Sequence, residues 1–350
     1  EMLNKELCDP RWSKTFGVEG PAPGLVLLDE IHTYEGIPAA QAAWVLRRWN
    51  HRKGRSTSHF VGLSATLKEA PTHMAKLCGL SPAQVEECSP QPEELLSEGR
   101  EYNLALKSNP SSSAALLSTS IQAGMLLTRL LTPRVSSQRS ASQHPHAEQL
   151  YSQKLFGFTD NLDVVNRWYA DMHDAEQNKR LAQSRNPGAY PKGTPKQLLD
   201  RIREEGQIWD LPDLIGHDLS RGLKVSRCSS QDAGADTTSD AIIATSSLEV
   251  GFDDPSVGVI MQHKAPKSMA SFLQRKGRAG RTPGTRPWTV VVLSDFGRDR
   301  WAFQSAERLF APEIDRINLP ITNPYVLRVQ MALFMVDWIG RHIGKRCSPY

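Results

Sequence analysis

The chain has 350 residues, 39% hydrophobic and 23% charged, an ordinary globular balance with room for two domains. Its 42 Lys and Arg against 38 Asp and Glu leave a formal charge of +4, too small to name a partner, so local clustering has to do it. Five scattered cysteines (Cys8, Cys78, Cys88, Cys228, Cys347) form no CxxC pair and argue for a reduced cytoplasmic protein, against a disulfide framework or a zinc site.

The start shows no secretory signal. "LVLL" (25–28) predicts a buried strand that runs straight into Asp29-Glu30. A helix follows through "PAAQAAWVLRRW", then a second buried strand, "HFVGLSATL" (59–67). Strand, helix and strand suggest a parallel α/β layer. Residues 81–150 turn Pro-, Glu-, Ser- and Gln-rich and read as a connector. Within it, "SSSAALLSTSIQAGMLLTRLL" has helical spacing, and a mobile loop is expected near 133–148. The α/β pattern restarts with "KLFGFTD" (154–160) and a long helix over 161–183. "AIIATSS" (241–247), "VGVIMQHK" (257–264) and "PWTVVVLSD" (287–295) predict further strands, with a helix through "SMASFLQRKG". Asn323 and Pro324 then read as N-cap and first residue of a helix. That last apolar stretch carries Arg328, Gln330 and Asp337, so it reads as a core helix and not a membrane span.

Open parallel sheets bind ligands off the carboxyl ends of their strands, which is where Asp29-Glu30 sits. One carboxylate can hold Mg²⁺ while the next polarises an attacking water, the two tasks of phosphoryl transfer. Taken alone, "DE" after a strand reads first as a solvated acidic turn. The segments that follow change the weighting. "DEIH" (29–32), "SAT" (64–66), "ATSSLEVGFD" (244–253) and "QRKGRAGR" (274–281) occur in this order. They resemble motifs II, III, V and VI of the superfamily 2 DExH-box helicases, and "FGFTDNLD" (156–163) fits motif IV more loosely.

The resemblance covers roughly residues 1–300 and implies two RecA-like parallel-sheet domains with ATP between them. The expected organisation is the carboxyl part of a first, incomplete RecA-like domain (1–80) and a connector (81–150). A second RecA-like domain (151–300) and the start of a helical region (301–350) follow. By motif position, Asp29 organises Mg²⁺, Glu30 activates the hydrolytic water, and His32 links the nucleotide site to the other domain. Ser64 and Thr66 relay nucleotide state to strand separation. Thr245 and Ser246 belong with the nucleic-acid and coupling contacts. Gly251 and Asp253 lie near the nucleotide, and Gln274, Arg278 and Arg281 face the triphosphate. A planar, permanently charged guanidinium suits charge building on γ-phosphoryl oxygens, whatever the family. Arg278 and Arg281, three apart, are expected on one side of a helical turn, with Lys276 rotated away.

The phosphate-cradling G-x-x-x-x-G-K-[ST] loop does not occur in the 350 residues. "EMLNKEL" at the start resembles the segment just before motif II of DNA helicases, so the chain is expected to begin inside the first domain. Nucleic acid is the expected track. "RRWNHRKGR" (47–55) holds five Lys and Arg and no acid, and divides evenly between a solvated helix end and a nucleic-acid contact. Trp44, Trp49, Trp288 and Trp301 read as packing groups, and His144 and His146 as loop. The segments beyond motif VI resemble the large helicases of bacterial phage-defence islands, such as the DISARM helicase subunit. That implies duplex DNA as substrate and other defence subunits as possible partners, with no membrane contact. Two other readings remain: a nucleic-acid-binding scaffold that keeps the fold without hydrolysis, and a duplex translocase that does not unwind.

Overall fold

The computed structural model describes residues 2–9, 12, 14–54, 58–64, 67–94, 99–108, 116–131, 151–214, 219–229, 234–245, 248, 253–311, 314 and 316–342. They fall into two compact units: Glu1–Leu95 with Pro312–Tyr350, and Leu96–Ala311.

In the first unit, β1 (Leu25–Leu28) pairs in parallel with β2 (His59–Gly62), register Leu28 opposite Gly62. The helix Gly36–Arg52 is the crossover. Its Ala39, Ala40 and Ala43 are buried, and such small side chains let it lie close to Ile31, Met74 and Leu77. A Cβ on Gly62 would come within 3.0 Å of Met74 Sδ and 3.1 Å of Ile31, so only glycine leaves Ile31 its place beneath the strand. β1 reads from sequence as buried throughout, but Leu25 and Leu27 are 52% and 62% exposed. The expected strand 59–67 stops at Gly62. The helix Pro324–His342 belongs to this unit, with Asn323 capping it as expected: Oδ1 accepts from Tyr325 N at 2.9 Å.

That helix turns polar groups inward. Gln330 and Asp337 are buried while Met331, Met335 and Trp338 are exposed. Arg48 explains it. Its Nε and Nη2 donate to the two Asp337 oxygens at 2.8 Å each, and Nη1 donates to Gln330 and Asn4 at 3.1 Å. Arg47 donates to the carbonyls of Ala43 and Leu77, and Lys53 lies 4.4 Å from the Trp49 ring centroid. The basic run 47–55 is therefore spent largely on internal structure.

The second unit is a six-stranded, wholly parallel sheet in the order β3-β8-β7-β4-β6-β5. Its strands are β3 (Tyr102–Lys107), β4 (Lys154–Phe158), β5 (Val225–Cys228), β6 (Ala241–Ala244), β7 (Val257–His263) and β8 (Trp288–Leu293). β4, β6 and β7 are buried at every position, as a sheet covered on both faces requires. The helices Leu116–Leu131 and Leu162–His173 pack against it through Met125, Trp168 and Met172. Two stretches of the expected connector are thus part of this unit: β3 and the helix Leu116–Leu131. The loop expected near 133–148, with His144 and His146, lies outside the described residues.

The helix expected over 161–183 ends at His173 and passes into a π-helical turn, Asp174–Asn178. The cause is Glu176, drawn inward to a buried pair with Arg129, both contacts 2.7 Å. Trp44 and Trp49 donate to the carbonyls of Ile321 and Phe16, and Trp288 stacks on Tyr102 at 4.7 Å. Trp301, expected in the core, is 59% exposed. The two architectural features expected from sequence, parallel α/β regions and a helical carboxyl stretch, are both present. Among the described residues no helix is long and apolar enough to cross a membrane.

Candidate functional site

The carboxylate half lies in the first unit, at the tip of β1. Asp29 Oδ1 accepts from Glu30 N at 2.9 Å, which folds the chain sharply on leaving the strand. Glu30 takes φ 50° and ψ 48°, the left-handed region that favours glycine. The turn is held from three directions. Ile31 N donates to Leu63 O at 2.9 Å, Thr33 N and Oγ1 donate to Glu30 O at 2.8 Å, and buried His73 Nε2 lies 3.1 Å from Ile31 O. The strain is therefore imposed by surrounding structure, as is common where a side chain must be aimed.

His32 is 1% exposed. Its Nε2 lies 3.3 Å from Glu30 Oε2 and its Nδ1 lies 3.3 Å from Ser64 Oγ. Burial lowers its pKa, and the nearby Glu30 and Asp29 only partly oppose this, so the ring is neutral at neutral pH. Ser64 Oγ and His32 Nδ1 share a hydrogen bond whose direction follows the ring tautomer, and the Glu30 carboxylate approaches Nε2 electrostatically. "DEIH" and "SAT" are thus joined by side chains. Thr66 lies outside the described residues.

Among the described residues no group of three or more His, Cys, Asp or Glu could cage a metal. Mg²⁺ in phosphoryl-transfer sites needs no such cage, only one or two carboxylates with phosphates and waters completing its shell. Asp29, exposed and with Oδ1 alone engaged, fits that role.

The arginine half lies in the second unit. The helix Met269–Lys276 ends before Arg278, so Arg278 and Arg281 do not share a helical face as expected. Arg278 N donates to Arg275 O in a turn, and Gly280, φ +70°, redirects the chain. A Cβ there would meet Pro287 Cγ at 2.5 Å, so glycine is required. Arg281 Nη1 then reaches Asp253 Oδ1 at 3.1 Å, and its Nε donates to Gly277 O at 3.3 Å. Arg278 and Gln274 are half-buried, as is Thr245 at the end of β6. Ser246 and Gly251 lie outside the described residues.

Three residues that sequence reasoning did not choose build this half. Arg275 is 3% exposed, with Nη2 at 2.6 Å from Asp160 and Nη1 at 2.7 Å from Gln262. It ties "QRKGRAGR" to the loop after β4. Its spacing three before Arg278 was the available signal, but nothing in the string shows that it points inward. The adjacent acids of "FDDP" divide their work. Asp253 is exposed and meets Arg281, whereas Asp254 is paired with Lys154 and accepts from Ser256 N at 2.9 Å. Burial raises the Asp254 pKa, but the bonds from Lys154 and Ser256 outweigh it and hold it below the usual carboxylate range. Lys276, expected to be rotated away and idle, pairs with Glu101 at 2.9 Å.

Residues 224–283 match the family described as "Helicase conserved C-terminal domain". Druantia protein DruE of Escherichia coli (strain UMEA 4076-1) is 31% identical over 99 residues, 28% of this chain and 5% of that protein. A Lhr helicase/probable uracil glycosylase of Mycolicibacterium smegmatis is 54% identical over 44 residues, 13% of this chain and 3% of that one. The DUF1998 helicase MrfA bound to DNA superposes with TM-score 0.54 at 17% identity, over 96% of this chain and 40% of its own. Mycobacterium smegmatis Lhr bound to ssDNA and AMP-PNP gives TM-score 0.55 at 17% identity, over 95% and 36%. The chain therefore spans well under half the length of these proteins. The fold is one of parallel-sheet, RecA-like units, as in the DUF1998 helicase MrfA and Lhr structures.

Proposed function

We propose that this chain forms part of an ATP-dependent motor that acts on nucleic acid, with DNA as the track. The observation that carries the reading is the strained strand tip: Glu30 held left-handed and set 3.3 Å from a buried neutral histidine that itself meets Ser64. A solvated acidic turn has no need of strain or of a buried partner. Glu30 takes the proton from the water that attacks the γ-phosphoryl group, and ADP leaves with the electron pair of the broken bond. Mg²⁺, when bound, neutralises charge on the phosphate oxygens; Asp29 would hold it. His32 fixes the Glu30 carboxylate and passes its position to Ser64. Arg281, oriented by Asp253, offers its guanidinium to the charge that develops on the phosphoryl oxygens, and Arg278 acts beside it. Thr245 and Ser246 meet the nucleic-acid backbone.

Likeness to helicases whose structures are bound to DNA and to ssDNA supports a nucleic-acid track. The narrower reading, a duplex-DNA motor of a bacterial phage-defence island, rests on resemblance in the segments beyond motif VI. The test is nucleic-acid-stimulated ATP turnover of the full-length protein. Glu30→Gln lowers turnover by about 10²–10⁴ while nucleotide binding survives, the range for loss of a general base. Asp29→Ala instead weakens Mg²⁺-dependent nucleotide binding. Arg281→Lys keeps the charge but loses the fork, lowering turnover by about 10³ with the salt slope of DNA binding unchanged. Turnover near wild type in all three variants would return the carboxylate pair to a solvated acidic turn, and no nucleic-acid-stimulated turnover in the wild-type protein would leave a nucleic-acid scaffold as the better reading.

A further inference from the structure

A concavity lies in the second unit, apart from the candidate site residues named above. It encloses about 250 Å³ and is lined by Lys107, Asp295, Arg300, Phe303 and Gln304. These residues meet at the carboxyl ends of β3 and β8, the kind of place where parallel sheets receive ligands. The volume is below the roughly 300–1,000 Å³ that encloses a whole small-molecule ligand, so it suits one unit of a polymer.

The lining is chemically mixed in a particular way. Lys107 Nζ pairs with Asp295 at 2.7 Å and lies 5.9 Å from the Phe303 ring centroid. Lys107 and, at longer range, Arg300 hold the single carboxylate below its usual range, which leaves the lining with one net positive charge. Arg300 is exposed, and its side chain makes no hydrogen bond or ion pair among the described residues. Phe303 is 38% exposed, and two further aromatics on the same short segment are more so: Phe296 at 75% and Trp301 at 59%. Aromatic rings in solvent, interleaved with cations and one side-chain amide (Gln304), are the composition of a stacking platform for unpaired bases. A purely apolar partner surface would offer the Arg300 guanidinium nothing.

We infer that this concavity is a subsite for single-stranded nucleic acid, in which a base stacks on Phe303 and a neighbouring phosphate meets Arg300. The inference rests on the nucleic-acid track proposed above and extends it along the sheet. All six strands run in parallel, so Thr245, after β6, and Lys107, ending β3, lie on the same edge. Three to four strand spacings separate β6 from β8 and β3, about 14–19 Å at 4.8 Å each. A single strand of a few nucleotides bridges that span.

The test uses the 350-residue chain and a fluorescein-labelled mixed-sequence DNA single strand of about 16 nucleotides, read by anisotropy across a salt series. Phe303→Leu, which keeps apolar bulk and loses the ring, is expected to weaken binding by about 5–150-fold without changing the salt slope. Arg300→Gln is expected to lower the slope of log affinity against log salt by about 0.7. Lys179→Gln, an exposed cation on another segment, is expected to leave both unchanged. Thermal melting followed by circular dichroism checks that each variant folds. If Phe303→Leu and Arg300→Gln bind like wild type while Thr245→Val binds more weakly, the track stands and this subsite is wrong. If the wild-type chain binds no single strand at all, both are wrong.

Discussion

Glu30 sits where a glycine would be more comfortable, which gives an unusual prediction about stability. A residue with a Cβ in the left-handed region costs about 1–2 kcal/mol, and Glu30 is held there at φ 50°. Glu30→Ala keeps that cost and loses the contact with His32. The Glu30 side chain is 46% exposed, so that contact contributes at most about 1 kcal/mol. Glu30→Gly loses the same contact and also sheds the strain, while glycine adds about 0.4–1 kcal/mol of unfolded-chain entropy. The difference favours the glycine variant over the alanine variant by about 0.8 kcal/mol, the reverse of the order at positions with negative φ. With an m-value near 2 kcal/mol per M urea, Glu30→Gly unfolds about 0.4 M later than Glu30→Ala. Equilibrium urea unfolding followed by tryptophan fluorescence reads this directly. Both variants lose ATP turnover, so the more stable one is also inactive. If Glu30→Ala proves equal to or more stable than Glu30→Gly, the strand tip is not strained and the case for an aimed carboxylate weakens.

Asp337→Ala leaves the buried Arg48 guanidinium without its carboxylate and should cost about 3–5 kcal/mol; Arg48→Met with Asp337→Leu recovers most of it, both read by urea midpoints. His263, buried beside Trp168 with Ser120 Oγ at 2.8 Å from Nδ1, has its pKa pushed down to about 4, chiefly by burial and further by Lys264 and Arg167, against Asp299. Because its folded pKa lies below the unfolded value near 6.5, its contribution is complete above pH 6.5. About 3 kcal/mol is lost as pH falls through 4, and His263→Asn flattens that part of the stability–pH curve. Gly280→Ala meets Pro287 and a positive φ together, so it should destabilise by at least about 1–2 kcal/mol. By shifting Arg281 from Asp253 it should also lower turnover, which Arg281→Lys does without loss of stability.

The strands legible in the sequence are the central ones. β4, β6, β7 and β8 are mostly apolar because neighbours on both sides and layers on both faces exclude water. β3 ("YNLALK") and β5 ("VSRC") escaped notice, and both are edge strands. Each has one neighbour, tolerates polar residues on its exposed side and so leaves no continuous hydrophobic signal. The site was legible residue by residue but not pair by pair. "DEIH" names a histidine, yet nothing in the string says that Ser64 lies against its ring. Charge was the least reliable guide. Arg48, Arg129, Glu176 and Arg275 are among the most deeply buried side chains, because each has a partner far away in the chain that cancels it.

The first unit is discontinuous: residues 1–95 pack with 312–350. Its core includes Leu319 and Val326, and the Arg48 guanidinium waits for Asp337. During synthesis at about 5–20 residues per second, the intervening 216 residues take roughly 10–40 s to emerge. Throughout that interval Arg48 has no carboxylate to meet. The second unit has a shorter version of the same delay, since among the described residues β3 pairs only with β8, the last strand of the sheet. The sheet carrying the arginines can close before the part carrying the carboxylate pair meets Leu319, Val326 and Asp337, although Asp29 and Glu30 are translated ahead of it.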